Sequence, residues 1–155
     1  MTAASVGERL AELGITLPAV PTPAGSYLPW SRTGNLVFTA GQLPFVDGAL
    51  PATGRVGDEV APEEAKDHAR LSAINILAVL DAAVGLDNVE QVVKLVGFVA
   101  SAPGFTGPPG VINGASDRMA EVFGEAGRHA RSAVGVAELP LGSPVEVEAV
   151  VQVRG

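Results

Sequence analysis

The chain has 155 residues, of which 47% are hydrophobic and 17% charged, so it can bury the core of one domain and is not expected to be disordered. Its formal net charge of −7 argues against a nucleic-acid partner, because affinity for a phosphate backbone comes chiefly from lysine and arginine. It has no cysteine, no apolar run long enough to cross a membrane and no signal-peptide pattern. We therefore expect a single domain over residues 1–155, located in the cytoplasm, with no disulfide and no membrane partner.

Residues 1–24 are predicted to form an extension of this domain. Apolar side chains at helical spacing between residues 5 and 13, followed by Gly14, indicate a short amphipathic helix. The many prolines between residues 17 and 29 then predict an extended connector.

The first clear strand covers residues 35–44, where apolar and β-branched side chains follow a Gly-Asn turn. An Asp-Gly pair at 47–48 predicts a tight hairpin turn after this strand. Gly41 lies at the end of the strand, where glycine indicates either a local bend or the close approach of another group to the backbone. The sequence leaves both explanations of Gly41 open.

Two helices and a strand follow. Carboxylates directly after Pro62 and a glycine at position 85 predict the longest helix between them. Residues 89–100 are rich in β-branched side chains and predict a strand, and residues 111–123 predict a second helix that ends at Gly124. His68 in the longest helix is interpreted as a core or solvated side chain. With only two histidines and no ligand spacing, no metal site is expected.

The chain closes with two strands, one from His129 to a turn at 139–144 and one from Val145 onward, which we expect to pair as a hairpin. One face of the second strand is apolar and should meet the helices, while the other face carries Glu146, Glu148, Val150 and Gln152. In the strand that begins at His129, one face has almost no bulky side chains, and we interpret this face as a subunit interface. It carries Arg131, Ala133, Gly135 and Ala137.

Arg131 and Glu146 are charged residues in otherwise apolar strands. In a hairpin, Arg131 would lie beside Gln152 and Glu146 beside Ala137, which separates the two charges by about 20 Å. If both serve one pocket, we expect them to come from different subunits. The alternative is that each forms a separate structural ion pair.

The predicted order is β-β-α-β-α-β-β, an α+β fold with a mixed sheet and two helices packed on one face. The sequence resembles the RidA family of reactive-intermediate deaminases, also called the endoribonuclease L-PSP or YjgF-type family. The resemblance is carried by Gly25-Ser26-Tyr27, by Asn-Leu-Val-Phe-Thr-Ala-Gly-Gln-Leu-Pro at 35–44, by Ala-Arg-Ser-Ala-Val at 130–134, and by Val-Glu-Val-Glu-Ala at 145–149. It implies a chorismate-mutase-like fold assembled as a homotrimer with clefts between subunits.

The resemblance also implies site residues. Arg131 would hold the carboxylate of a small substrate through a bidentate, charge-assisted pair of hydrogen bonds, and Glu146 would position or activate the attacking water. Tyr27 would line the cleft, and backbone N–H groups near Gly41 and Ala133 would hold ligand oxygens. Two further residues, Asn113 and Ser116, are candidates for the family's helix asparagine. No cofactor and no metal is implied.

The chain departs from the well-studied deaminases in several places, among them the inserted segments 113–117 and 124–129 and the extra N-terminal helix. Ala40 stands where they usually have serine. His129 either flanks the cleft or caps the loop before the strand. These differences indicate a separate branch of the family.

Two functions are weighed. The first is an enzyme that hydrolyses 2-imino and 2-enamino acids to 2-oxo acids and ammonia, as the resemblance implies. The second is a non-catalytic trimer that binds small carboxylates as a sensor or carrier. Ribonuclease activity is disfavoured by the negative net charge and the lack of a basic stripe.

Overall fold

The computed structural model describes residues 5–20, 22–23 and 25–155. The helices and strands in chain order are α1 (Val6–Glu12), β1 (Trp30–Thr33), β2 (Leu36–Thr39), α2 (Pro62–Val84), β3 (Val89–Ala100), α3 (Pro108–Phe123), β4 (Ala130–Val136) and β5 (Val145–Val153). Short 3-10 turns cover Leu86–Asn88, Gly124–Gly127 and Pro140–Gly142. The predicted α+β order of the domain is confirmed.

The five strands form one mixed sheet in the order β1-β2-β5-β3-β4. Neighbouring strands are antiparallel except β3 and β4, which run parallel. The predicted hairpin between the last two strands is therefore wrong, because β5 lies in the middle of the sheet and β4 lies at its edge. The alternating side chains of β5 explain its place: every second residue is buried, so it needs neighbours on both sides and a covered face.

The two long helices cover one face of the sheet, as predicted. The valines of β5 and the inward residues of β3 pack against α2 and α3 in one core. The α3 helix starts at Pro108, three residues before the predicted start, because a proline suits the first turn of a helix. Gly114 lets α3 approach α2, since a Cβ there would collide with the carbonyl of Lys66.

The opposite face of the sheet, called the open face below, is not covered by a described element. It carries partly exposed apolar side chains from four strands: Leu36, Phe38, Val96, Phe98, Val134 and Val150. The row of small residues on β4, with Arg131, Ala133 and Gly135, lies on the face of the sheet that the helices cover. Ala133 packs on the core, and a Cβ on Gly135 would meet Ser101 and Pro108. The small residues of this row thus make room for α3 on the helix side of the sheet, and their role as a subunit interface stays a prediction.

The predicted strand over residues 35–44 is interrupted. β2 pairs with β1 through a turn at Gly34, and its ladder with β5 stops at Phe38 opposite Val150. Pairing resumes at Gln42 opposite Val147, so four residues on one side match three on the other. Residues 39–41 thus form a β-bulge. The predicted Asp-Gly turn at 47–48 is present, but it closes a separate small loop.

The N-terminal helix α1 begins at a capping box formed by Ser5 and Glu8. It is fastened to the turn after α2, because the Val6 N–H donates to Asp87 Oδ1 at 2.9 Å. The end of β5 reaches the same turn, where the Arg154 N–H donates to the carbonyl oxygen of Asn88 at 2.9 Å. No helix in the described part of the chain is both long enough and apolar enough to cross a bilayer.

Candidate active site

The predicted site residues line two separate clefts of the chain. The Arg131 cleft, about 290 Å³ in volume, lies between α3 and the start of β4 and is lined by Asn113, Ser116, Asp117, Ala120, Arg128, His129 and Arg131. The Glu146 cleft, about 330 Å³, lies beside the β-bulge, and its lining includes Tyr27, Gly41, Gln42 and Glu146. The two clefts share no lining residue.

Arg131 is held from α3. One of its terminal nitrogens, Nη1, donates to Asn113 Oδ1 at 2.7 Å and to Ser116 Oγ at 3.2 Å. Asn113 and Ser116 are three residues apart on one helix, so they lie on the same face and reach the same group. The sequence left open which of them belongs to the site, and both contact Arg131. Among the described residues, no carboxylate forms an ion pair with it.

His129 performs both of the roles between which the sequence could not decide. Its Nδ1 lies 2.6 Å from the carbonyl oxygen of Gly127 in the preceding 3-10 turn, and its Nε2 lies 2.9 Å from Ser116 Oγ. It therefore caps the loop and also lines the Arg131 cleft. No sequence pattern indicated its pairing with Ser116, because the two residues are 13 positions apart and meet only through the packing of α3 on β4.

Glu146 lies on the open-face side of β5 and is half-buried beside the bulge. Burial raises the pKa of this carboxyl above its ordinary value, and the negative charge of Glu148 raises it further. No lysine, arginine or histidine of the described residues forms an ion pair with it. Such a carboxyl exchanges a proton more readily near neutral pH than an ordinary glutamate does.

Gly41 is explained by close approach. A Cβ there would lie 2.9 Å from Glu146 Cδ and 3.1 Å from its Cγ, and nearer still to its Oε1. The backbone angle φ of Gly41 is not positive, so conformational freedom is not the reason for glycine. Only a residue without a side chain lets the carboxyl stand this close to the backbone.

The bulge builds this arrangement from backbone groups. Thr39 is buried, and its Oγ1 accepts from the Ala149 N–H at 3.0 Å, which replaces the ladder bond that the bulge removes. The amides of Ala40 and Gln42 donate to backbone carbonyls, whereas the N–H of Gly41 bonds to no described residue. The resemblance implies that this N–H holds a ligand oxygen, which stays a prediction.

The remaining wall of the Glu146 cleft is largely apolar. Tyr27 lies there as expected, with 55% of its surface exposed. Its neighbours are residues that the sequence analysis did not single out: Pro29, Leu43, Phe45, Pro140 and Leu141. Leu141 is 70% exposed and has a positive φ of 59°, which is unusual for leucine. The prolines around it were the only sequence signal, and they indicated no more than a turn.

Arg131 and Glu146 do not meet within one chain. Phe98 of β3 pairs with Glu146 on one side and with Val134 on the other, so Arg131 lies two strands away and three residues along. At strand dimensions this separates the two backbone positions by about 14 Å. Their side chains also lie on opposite faces of the sheet. The predicted separation of about 20 Å and the predicted neighbours, Gln152 and Ala137, came from the wrong hairpin.

Ala133 occupies a different position from the other candidates. Its side chain packs against the core rather than lining either cleft. It lies on β4, whose outer edge pairs with no described strand. Only its backbone remains a candidate for ligand contact.

Known proteins resemble the chain over almost its whole length. The family model described as "YjgF/chorismate_mutase-like, putative endoribonuclease" matches residues 7–152. Protein TCP17 of Trypanosoma cruzi is 45% identical over 151 residues, which cover 96% of this chain and 94% of that relative. The 2-iminobutanoate/2-iminopropanoate deaminase of Dermatophagoides farinae is 32% identical and covers 90% of this chain and 95% of its own length.

Solved structures agree. Atu1372 of Agrobacterium tumefaciens superposes with a TM-score of 0.90 at 46% identity, covering 96% of this chain and 92% of its own. A Shewanella oneidensis protein, described as a putative endoribonuclease, superposes with a TM-score of 0.94 at 32% identity. The match covers 97% of this chain and 100% of that protein. TdcF of Escherichia coli with bound serine superposes with a TM-score of 0.62 at 27% identity, and the match covers 88% of this chain and 94% of TdcF. With the family model matching from the first helix to the last strand, the chain belongs to the YjgF/RidA family.

Proposed function

We propose that the chain is a cytoplasmic, homotrimeric enzyme that hydrolyses 2-imino and 2-enamino acids to 2-oxo acids and ammonia. The observation that carries this proposal is a pair of unpartnered charges: Arg131, with no carboxylate among the described residues, and Glu146, with no cation. Each lines a cleft. A guanidinium without a carboxylate partner suits a substrate carboxylate, and a half-buried carboxyl with a raised pKa suits proton transfer.

The open face supports assembly of the trimer. Leu36, Phe38 and Val134 are 36%, 43% and 45% exposed, and they form one patch with the partly buried apolar side chains of β3 and β5. Apolar patches of this kind mark interfaces. We propose a second copy of the chain as the occupant, because both clefts are incomplete for the reaction alone. Assembly would place the Arg131 cleft of one subunit against the Glu146 cleft of the next.

The reaction needs little more than orientation. The substrate carbon is doubly bonded to a protonated nitrogen and is already electrophilic. Water adds to this carbon while the Glu146 carboxylate takes one of its protons. That proton then passes to the nitrogen, and the C–N bond breaks with its electron pair on nitrogen. The hydroxyl oxygen gives its proton through Glu146 to the departing ammonia, so the products are the 2-oxo acid and an ammonium ion. Arg131 holds the carboxylate throughout, and the enzyme ends in its starting state.

Relatives support the same chemistry. Among them is a protein named 2-iminobutanoate/2-iminopropanoate deaminase, and the TdcF structure contains serine, a molecule with a carboxylate and a nitrogen on adjacent carbons. Our proposal extends this activity to the present chain, with Arg131 and Glu146 in the roles that the resemblance implies.

The test is release of 2-oxo acid from freshly generated 2-imino acids. We expect acceleration over buffer by the wild type and its loss in both Arg131→Ala and Glu146→Gln. The carboxylate anchor predicts a raised KM for the first variant, and the proton carrier predicts a lowered kcat for the second. If the wild type binds 2-oxo acids without accelerating hydrolysis, the deaminase proposal is overturned in favour of a carboxylate-binding trimer.

A further inference from the structure

We propose that His129 is a positioning residue for the carboxylate anchor: through Ser116 it fixes the Arg131 guanidinium so that one particular edge faces the ligand. The proposal rests on the function proposed above and adds a residue and a binding geometry to it. Its basis is a continuous chain of hydrogen bonds from the Gly127 carbonyl to the guanidinium, all at one end of the Arg131 cleft.

The direction of each bond follows from the chemistry of the groups. A carbonyl oxygen only accepts, so the His129 Nδ1 at 2.6 Å from the Gly127 oxygen must carry a proton. In a neutral imidazole, Nε2 then has no proton and accepts, and the Ser116 hydroxyl, 2.9 Å away, must donate to it. The hydroxyl proton is thereby directed to His129 and not to the Arg131 guanidinium.

The oxygen of Ser116 is consequently left with its lone pairs for the guanidinium. Nη1 of Arg131 has two protons and two acceptors, Asn113 Oδ1 at 2.7 Å and Ser116 Oγ at 3.2 Å. Both protons of this nitrogen are therefore used. If Nε2 of His129 did not take the Ser116 proton, that proton would be free to turn towards the guanidinium and repel it.

This arrangement determines which edge of Arg131 binds a ligand. The Nε and Nη2 groups have no hydrogen-bond partner among the described residues. They lie on one side of the planar guanidinium and match the two oxygens of a carboxylate. We therefore expect side-on binding through Nε and Nη2 rather than end-on binding through the two terminal nitrogens.

The first test needs no ligand and no activity. Nitrogen-15 NMR of histidine-labelled wild-type protein at pH 8 should show His129 as the neutral tautomer protonated at Nδ1, with Nε2 as the acceptor. His129→Gln, which lacks the signal, assigns it, and Ser116→Ala should shift the Nε2 resonance. A tautomer protonated at Nε2 would overturn the proposal, whatever the protein catalyses.

The second test measures binding of pyruvate, the simplest 2-oxo acid, by titration calorimetry. His129→Leu removes the acceptor and should weaken binding about tenfold, the effect of a misdirected hydrogen bond to a charged group. His129→Gln offers an oxygen near the position of Nε2 and should restore binding to within about twofold of wild type. In the hydrolysis assay, we expect the same pattern in KM while kcat changes little.

A double-mutant cycle separates positioning from simple stability. If His129 acts through Arg131, then His129→Leu should have no further effect on binding in an Arg131→Ala background. Equal losses in both backgrounds would overturn the proposal, as would failure of His129→Gln to restore binding in a protein whose melting temperature matches the wild type. Pyruvate binding without hydrolysis would refute the deaminase function but leave this inference intact.

Discussion

Replacing Gly41 by alanine should remove most of the activity while leaving the fold intact. The backbone at Gly41 has no positive φ, so alanine is sterically allowed there and would slightly stabilise the folded state by restricting the unfolded chain. Its methyl group, however, would occupy the space beside the Glu146 carboxyl. The carboxyl lies at the far end of a flexible side chain, so it would move before the backbone does.

The size of the effect follows from the distances. The new Cβ would lie 2.9 Å from Glu146 Cδ, whereas non-bonded carbon atoms prefer separations of about 3.5–4.0 Å. The carboxyl must therefore retreat by about 0.6–1.1 Å. A misplacement of about 1 Å in a catalytic group can lower the rate about 100-fold. We expect kcat to fall by about that factor and KM, which depends on Arg131, to change little.

The assay is hydrolysis of freshly generated 2-imino acids, with urea denaturation to compare stability. Gly110→Ala is the matched control, because a Cβ at that helical position meets nothing within 4 Å. If displacement of Glu146 is the cause, Gly41→Ala should cost almost nothing in a Glu146→Gln background. A Gly41→Ala variant with wild-type kcat would refute both the close approach and the proton-transfer role of Glu146.

Three other predictions concern stability and assembly. Because the folded state raises the pKa of Glu146, the wild type should lose stability as pH rises through that pKa. Glu146→Gln should therefore be more stable than the wild type at pH 8 and equally stable at pH 3 in urea denaturation. An equal gain at both pH values would contradict this. Thr39→Val should cost about 1–3 kcal/mol by leaving the buried Ala149 N–H without an acceptor, and Thr39→Ser should recover most of it. Val134→Glu on the open face should yield a monomer without hydrolytic activity by light scattering and assay, whereas Ala82→Glu on exposed α2 should not; a trimeric Val134→Glu protein would refute the proposed interface.

The elements most accurately predicted from sequence are those with strong local signals. The bounds of β3 match the prediction to the residue, and α2 runs from Pro62 to the residue before Gly85. Both are defined by local chemistry: β-branched composition in one, and an N-terminal proline, first-turn carboxylates and a closing glycine in the other. Such signals do not depend on the rest of the chain.

Strand pairing was mispredicted because it depends on contacts distant in sequence. A segment of eight residues between β4 and β5 is compatible with a hairpin, but it also allows the chain to pass over β3 and pair on its far side. Burial distinguishes the two arrangements. β5 alternates buried and half-buried residues throughout, as a central strand does, whereas β4 is largely exposed, as an edge strand is. β1 was missed for a related reason, since a short edge strand with three exposed residues has little hydrophobic pattern.

In the candidate site, too, features with a local sequence signal were predicted and contacts between distant residues were not. Arg131 and Glu146 were identified because charges within apolar strands are conspicuous in any pairing. Their surroundings were not, because Ser116 meets His129 and Gly41 meets Glu146 only in three dimensions. The small residues beside Arg131 were interpreted as a subunit interface alone, because the sequence does not show that α3 also packs on this side of β4.

The attachment of Val6 and Arg154 to the turn after α2 has a practical consequence for engineering. Val6 and Arg154 each bond to a residue of the Leu86–Asn88 turn, so positions near the two termini lie within a few residues' reach of each other. A short linker joining them would permit circular permutation. New termini at the exposed Asp-Gly turn at 47–48 would keep the two long helices and three of the five strands, β3 to β5, in one uninterrupted run, and would give the Glu146 cleft a free chain end nearby for attaching a reporter dye.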